Sequence, residues 1–181
     1  MHDSSLEHAR SFFETYIPLI GKEHTVVEFG SNGAPEIKGL CGNAKYIGLD
    51  LHEGENVNIV LSDPYQIPLE NNSVDVVVSS SCFEHVPMFW LSFLEGLRIL
   101  KPEGIFYINA PSQGPVHNYP IDCWRFYPDS GQSLVDWANR NGYNSVLLQT
   151  FISRRNETWK DCVIVVLKDE KFLDNFTKRM S

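Results

Sequence analysis

The stretch VVEFGSNGA, Val26–Ala34, constrains the fold of this chain more than any other. An apolar, β-branched run carries an acid, Glu28, into a turn of small residues built around Gly30 and Gly33. About twenty residues later a second apolar run, YIGLD, ends in another carboxylate, Asp50. Two short buried strands joined through a small-residue turn and a helix open a βαβ unit. The small residues let backbone approach a ligand, and a carboxylate closing the second strand suits the hydroxyls of a ribose. The pattern predicts an α/β fold with a nucleoside crevice.

The rest of the chain extends that unit. SLEHARSFFETYIPLI places Leu6, Ala9, Phe12, Phe13, Tyr16 and Ile17 at helical spacing, with Ser4 or Ser5 as cap. APEIKGLCGN reads as a short helix with Pro35 in its first turn. VNIVL and VDVVVSSS read as strands, MFWLSFLEGLRILKPEG as an amphipathic helix ended by Pro102 and Gly104, and IFYINA as a fifth strand. SGQSLVDWANRNGY is a helix capped by Ser130, and NSVLLQTFIS and DCVIVVLK are two late strands. The turn between those two is too short for a parallel crossover, so they pair antiparallel. The expected architecture is a Rossmann-like, doubly wound, mostly parallel seven-stranded sheet closed by a C-terminal antiparallel hairpin, with helices on both faces. One domain is expected over residues 1–168, followed by a charged tail over 169–181. Arg154 and Arg155, with Trp159, fall in the final hairpin turn and read as solvated.

Composition narrows the function classes. A net charge of −8 over 181 residues leaves no basic stripe for a phosphate backbone, so a nucleic-acid partner is not expected. No apolar run approaches the ~20 residues of a membrane span. The four cysteines form no CxxC pair or Cys/His ligand cluster, so no metal is expected from spacing alone. Four free thiols without a signal-like N-terminus point to a reducing cytoplasm.

From about Thr25 to Ser112 the chain resembles the type 11 branch of the class I S-adenosylmethionine-dependent methyltransferases. VVEFGSNGA resembles that family's first motif and YIGLD its second. LSDPYQIPLENNSVDVVVSSSCFEHV resembles the third and fourth, and LRILKPEGIFYINAP the signature that follows. The resemblance implies S-adenosylmethionine as methyl donor, held by Glu28, Gly30, Ser31, Asn32, Asp50, Leu51, Asp63 and Ser80. In it Glu28 attracts the methionine ammonium, Asp50 takes the ribose diol, and Asp63 reads the adenine amine. The turn departs from the family pattern, with Asn32 and Ala34 where further glycines are usual. A nicotinamide reductase is disfavoured, because its Gly-x-Gly-x-x-Gly turn would need glycine at Asn32 and Pro35.

The proline-rich, aromatic segment PSQGPVHNYPIDCWRFYPDSG has neither helical nor strand period, and a loop of this length is usually functional. It resembles a His-x-x-Pro-x-Asp-x-Trp-Arg-Phe signature found in a subset of the same family, which implies a lid over a small-molecule acceptor such as a sugar or a glycan or natural-product intermediate. Candidate catalytic groups are His85, His117 and Asp122. Tyr119, Trp124 and Arg125 are candidates for acceptor binding. Two other readings stay open for the loop, with Trp124 and Phe126 as core anchors and Asp122–Arg125 as a structural ion pair, and His85 also suits a packing role. A homodimer is one way to complete an open cleft. The second function class is a cofactor-binding pseudo-methyltransferase or accessory subunit without turnover, suggested by the altered turn.

Overall fold

The computed structural model describes residues 3–21, 23–33, 35–153 and 158–181. Ala34, Arg154 and Arg155 lie outside them. Seven strands form one sheet: β1 Thr25–Phe29, β2 Lys45–Asp50, β3 Ile59–Val60, β4 Val74–Ser80, β5 Leu100–Gln113, β6 Val146–Ile152 and β7 Lys160–Leu167. Their spatial order is β3-β2-β1-β4-β5-β7-β6. The first five run parallel, and β7 is antiparallel to both its neighbours. The seven-stranded, mostly parallel sheet and its antiparallel close agree with the sequence reading.

The strands are short and apolar because both faces are covered. Every residue of β4 is buried, and alternate side chains serve opposite layers. Val77 packs with Phe106, Ile108 and Ile164 under α3 (Phe89–Ile99) and α4 (Pro128–Arg140). Val76 and Val78 pack with Tyr107 and Val165 against α1 (Asp3–Ile20) and α2 (Pro35–Leu40). Gly96 sets the closeness of α3 to the sheet: a Cβ there would lie 2.2 Å from the Phe106 ring.

Several boundaries differ from the sequence reading, each for a physical reason. The third strand keeps only Ile59–Val60, because only those two residues pair with β2. The helix α3 stops at Ile99, since Leu100 already pairs with Val74 and β5 absorbs the Lys-Pro-Glu-Gly run. The α4 cap is Tyr127, with Pro128 in the first helical position; Ser130 sits inside the first turn, where its Oγ accepts the Tyr127 N–H at 3.0 Å. Ser4 and Ser5 are buried inside α1 rather than capping it, and both hydroxyls donate to Asp161 Oδ2, at 3.2 and 2.8 Å.

Residues 169–181 are not a detached tail. A 3₁₀ turn, Glu170–Asn175, leads Phe176 and Met180 into the core beside Tyr16. Gln149 of β6 clips the segment down: its Oε1 accepts the Met180 N–H at 2.8 Å, and its Nε2 donates to the Met180 carbonyl at 3.0 Å. A charged composition hid two apolar anchors spaced too widely to show a period.

Under α2, Glu28 of β1 is fully buried and accepts a hydrogen bond from Tyr46 Oη at 2.5 Å. Its other oxygen, Oε1, has no hydrogen-bond partner. Burial pushes this carboxyl up to about 8, partly offset by the Tyr46 hydrogen bond.

Two outcomes follow for stability. Phe176→Ala should cost about 3 kcal/mol in urea unfolding, the usual loss for a buried aromatic; a cost under about 0.5 kcal/mol would show that the segment is not part of the core. The folded chain keeps a proton on Glu28 that the unfolded chain releases near pH 4.5, so stability falls from that pH up to about 8 and is flat above it. Glu28→Gln should remove that part of the slope, leaving the variant more stable than wild type at pH 8 and closest to it at pH 5. Unfolding curves with the same pH slope in both proteins would contradict this account.

Candidate active site

The sheet order reverses between β1 and β4. A crevice opens there at the carboxyl ends of the strands, as expected where crossover helices diverge to opposite faces. It is a cleft of about 460 Å³, walled by the turn after β1, the end of β2, the segment after β4 and the tip of the loop 114–127.

The β1 turn is built for close approach. The N–H groups of Gly30 and Ser31 both donate to the Leu49 carbonyl, at 2.9 and 3.1 Å, which draws the turn against β2. Gly30 has φ +74°, and a Cβ there would lie 2.8 Å from Cys82, so the position requires glycine twice over. The second left-handed residue is Gly33, at φ +75°. Asn32 is not left-handed: its side chain turns away from the glycine-rich path, donating to the Glu53 carbonyl at 3.3 Å and filling the space over Gly54. Its backbone N–H donates to Asp50 Oδ2 at 3.1 Å.

Asp50 ends β2 on the cleft wall. One oxygen accepts from Asn32 and the other from the His52 N–H, also at 3.1 Å. Each oxygen therefore keeps acceptor capacity for a ligand. Leu51 follows on the wall, largely exposed. Asp63 sits beside the cleft, between the wall residues Leu61 and Pro64, and its Oδ1 accepts the Tyr65 N–H at 2.8 Å.

The other three sequence candidates for the cofactor lie behind the wall. Glu28 is engaged with Tyr46, Ser31 is buried against Gly48, and Ser80 is buried on the Val78 face of β4. The oxygens Ser31 Oγ and Ser80 Oγ have no hydrogen-bond partner.

The loop 114–127 is clamped over the 3₁₀ turn Phe83–His85. The N–H groups of Cys123 and Trp124 both donate to the Glu84 carbonyl, at 2.8 and 3.2 Å. Asp122 is the loop's internal staple. Its side chain is 2% exposed and accepts from both terminal guanidinium nitrogens of Arg125 and, at 2.8 Å, from the His117 N–H. Arg125, beside it, holds that carboxyl well below the usual carboxylate range. Arg125 also donates to the Pro115 and Trp124 carbonyls, so its guanidinium is spent within the loop. Trp124 packs edge-on against Phe89 and Trp90, and its Nε1 donates to the Val86 and Pro87 carbonyls at 3.2 Å. With Phe126 buried beside Phe89, the anchoring reading of the loop describes Trp124, Phe126, Asp122 and Arg125.

That clamp delivers Asn118, Tyr119 and Pro120 to the cleft mouth, where Tyr119 is 80% exposed. His85 also lines the cleft. Its Nδ1 sits 2.5 Å from the Ile121 carbonyl, and a carbonyl only accepts, so Nδ1 carries a proton there. His117 stacks edge-on against it, with ring centroids 4.8 Å apart.

Sequence reasoning thus brings Gly30, Asn32, Asp50, Leu51, His85 and Tyr119 together on one cleft. It passed over His52, Ser81 and Asn118, which also line it, and over Glu84, whose side chain is 1% exposed. Burial pushes the Glu84 carboxyl up to about 8. The signal for Ser81 was present, since it ends the valine-rich run VDVVVSSS, where a strand must give way to the crevice; the structure places it at φ 51°. Glu84 gave none, because an acid next to a histidine is ordinary on a surface.

Comparison with known proteins agrees with this architecture. Residues 21–108 match the family model for a methyltransferase domain. The chain is 29% identical over 124 residues to phthiotriol/phenolphthiotriol dimycocerosates methyltransferase of Mycobacterium leprae, a match covering 60% of this chain and 45% of that protein. It spans about half the length, or less, of the curated relatives it matches. Among solved structures, the 1,6-didemethyltoxoflavin-N1-methyltransferase of Burkholderia thailandensis, determined with 1,6-didemethyltoxoflavin and S-adenosylhomocysteine, superposes with a TM-score of 0.72 at 13% identity, over 92% of this chain and 79% of that one. The YcgJ protein of Bacillus subtilis superposes with a TM-score of 0.68 at 14% identity, over 93% of this chain and 100% of that one. By its motifs, its matched segment and the order of its seven strands, the chain is similar to the class I, type 11 methyltransferases.

Proposed function

We propose that the chain binds S-adenosylmethionine in the β1–β4 crevice and transfers its methyl group to a small-molecule acceptor at the cleft mouth. The observation that carries this reading is the pairing of Gly30, where no side chain fits, with Asp50, whose two oxygens retain acceptor capacity on the same wall. Gly30 and the Asn32 backbone leave room for close contact. Asp50 takes the ribose diol through charge-assisted hydrogen bonds, Leu51 packs on the adenine side, and Asp63 stands beside that end of the cleft. The bound sulfonium supplies an already activated methyl group, so the chain's own work is alignment and exclusion of water. Phe29, Leu49, Leu61 and Phe83 provide an apolar wall for that purpose.

The acceptor enters past Tyr119 and Asn118. An exposed aromatic face beside an amide suits a ring bearing hydroxyls, which favours a sugar or a glycan or natural-product intermediate. His85 lines that end, with its Nδ1–H held by the Ile121 carbonyl and Nε2 left available to a ligand. The acceptors named for the M. leprae and B. thailandensis enzymes are neither protein nor nucleic acid, which agrees with a small-molecule site.

Calorimetry with S-adenosylhomocysteine should give saturable one-to-one binding. Asp50→Ala should weaken it ten- to a hundredfold, the range for a lost charge-assisted hydrogen bond of about 1.5–3 kcal/mol. Unchanged affinity in that variant would remove Asp50 from the site. Tight binding with no methyl transfer across a panel of hydroxyl, amine and carbon acceptors would return the chain to an accessory role.

A further inference from the structure

Beside the cleft, where His85 lines it, the clamped loop brings His117 onto the adjacent pair Glu84 and His85, more than thirty positions earlier in sequence. One carboxylate oxygen and one ring nitrogen from each histidine lie within 4.8 Å of one another. Ligand atoms of a tetrahedral ion at ~2.1 Å lie about 3.4 Å apart, so closure takes a side-chain movement of roughly an ångström or somewhat more. His117 can supply it from a loop position whose side chain is 36% exposed.

Two observations within the cluster point to a missing partner. Glu84 is 1% exposed, yet its Oε2 accepts no hydrogen bond. Nδ1 of His117 is also buried and without a hydrogen bond: it lies 3.2 Å from Asp122 Oδ2, but that oxygen is already taken by Arg125 and the His117 N–H. Native proteins rarely leave buried polar atoms unpaired, and both of these belong to residues of the cluster. His85 carries the usual mark of a ligating histidine: its Nδ1–H is held by the Ile121 carbonyl, which leaves Nε2, 3.6 Å from Glu84 Oε1, as the donor.

We propose that Glu84, His85 and His117 form a site for a borderline first-row divalent cation, such as zinc or cobalt, with open positions facing the cleft that take an oxygen of the acceptor. Two imidazoles and one carboxylate match the preference of such ions and leave part of the coordination shell unfilled. The Asp122–Arg125 staple then has a purpose beyond tethering the loop, since Asp122 holds the His117 backbone next to the other two ligands. The acceptor role rests on the methyl-transfer reading; the ion site does not.

The test uses the full chain, metal-stripped and untagged. Cobalt(II) alone should bind at one equivalent with micromolar or tighter affinity and give visible absorption bands. Glu84→Gln and His117→Ala should each weaken binding at least tenfold with near-UV circular dichroism intact, whereas His24→Ala, remote at the start of β1, should not. Adding acetohydroxamate, an oxygen chelator, to the cobalt-loaded chain should shift the bands if open positions exist. Absence of saturable cobalt or zinc binding, or equal affinity in all variants, would overturn the site; bands unmoved by the chelator would overturn its open positions. S-adenosylhomocysteine binding measured on the same sample reports separately on the cofactor crevice, so failure of one reading is not mistaken for failure of the other.

Discussion

The parallel pairing of β1 with β2 on one side and β4 on the other is the constraint on which the rest depends. It aims three strand ends the same way, and because crossovers leave β1 in opposite directions, nothing covers the gap above it. Gly30, Asp50 and Ser81 reach one space because their strands stop level there. A side chain at Gly30 would push the turn off Cys82 and close the gap from within.

Around that crevice the molecule places acids where water cannot reach them. Glu28 lies behind the β1 turn and Glu84 beneath the loop, each with an oxygen lacking a hydrogen bond. Burying a carboxyl without a full set of partners is costly, and the group responds by holding its proton to higher pH. Asp122 shows the opposite case: arginine and a backbone N–H satisfy it, and it stays ionised. Two buried acids short of partners and one fully served acid, all within the carboxyl-end half of the sheet, set the electrostatic character of the site.

The loop 114–127 divides its residues between holding and presenting. Trp124, Phe126, Asp122 and Arg125 hold, through aromatic packing, a bidentate ion pair and two backbone bonds to the Glu84 carbonyl. Asn118, Tyr119 and Pro120 present themselves to the cleft. A loop without regular structure can position a site only if such anchors replace the hydrogen-bond ladder it lacks.

The sequence by itself determined the α/β class, the seven strands and their antiparallel ending, because burial on both faces leaves unbroken apolar runs and a short connection forbids a crossover. It also determined Gly30 and Asp50 as wall residues, since both follow directly from where a strand must end. Only the tertiary structure decided the rest. Glu28 and Ser80 share motifs with the wall residues but lie behind them, because successive residues of a strand face opposite layers and motif spacing does not say which, and Ser31 is drawn in against Gly48 by the turn's packing on β2. The tail's anchors, Phe176 and Met180, depended on a groove formed by α1 and β6. Glu84 and His117, separated by thirty-three positions in sequence, meet only because the loop folds back onto the end of β4, a contact set by packing and charge pairing that no local pattern encodes.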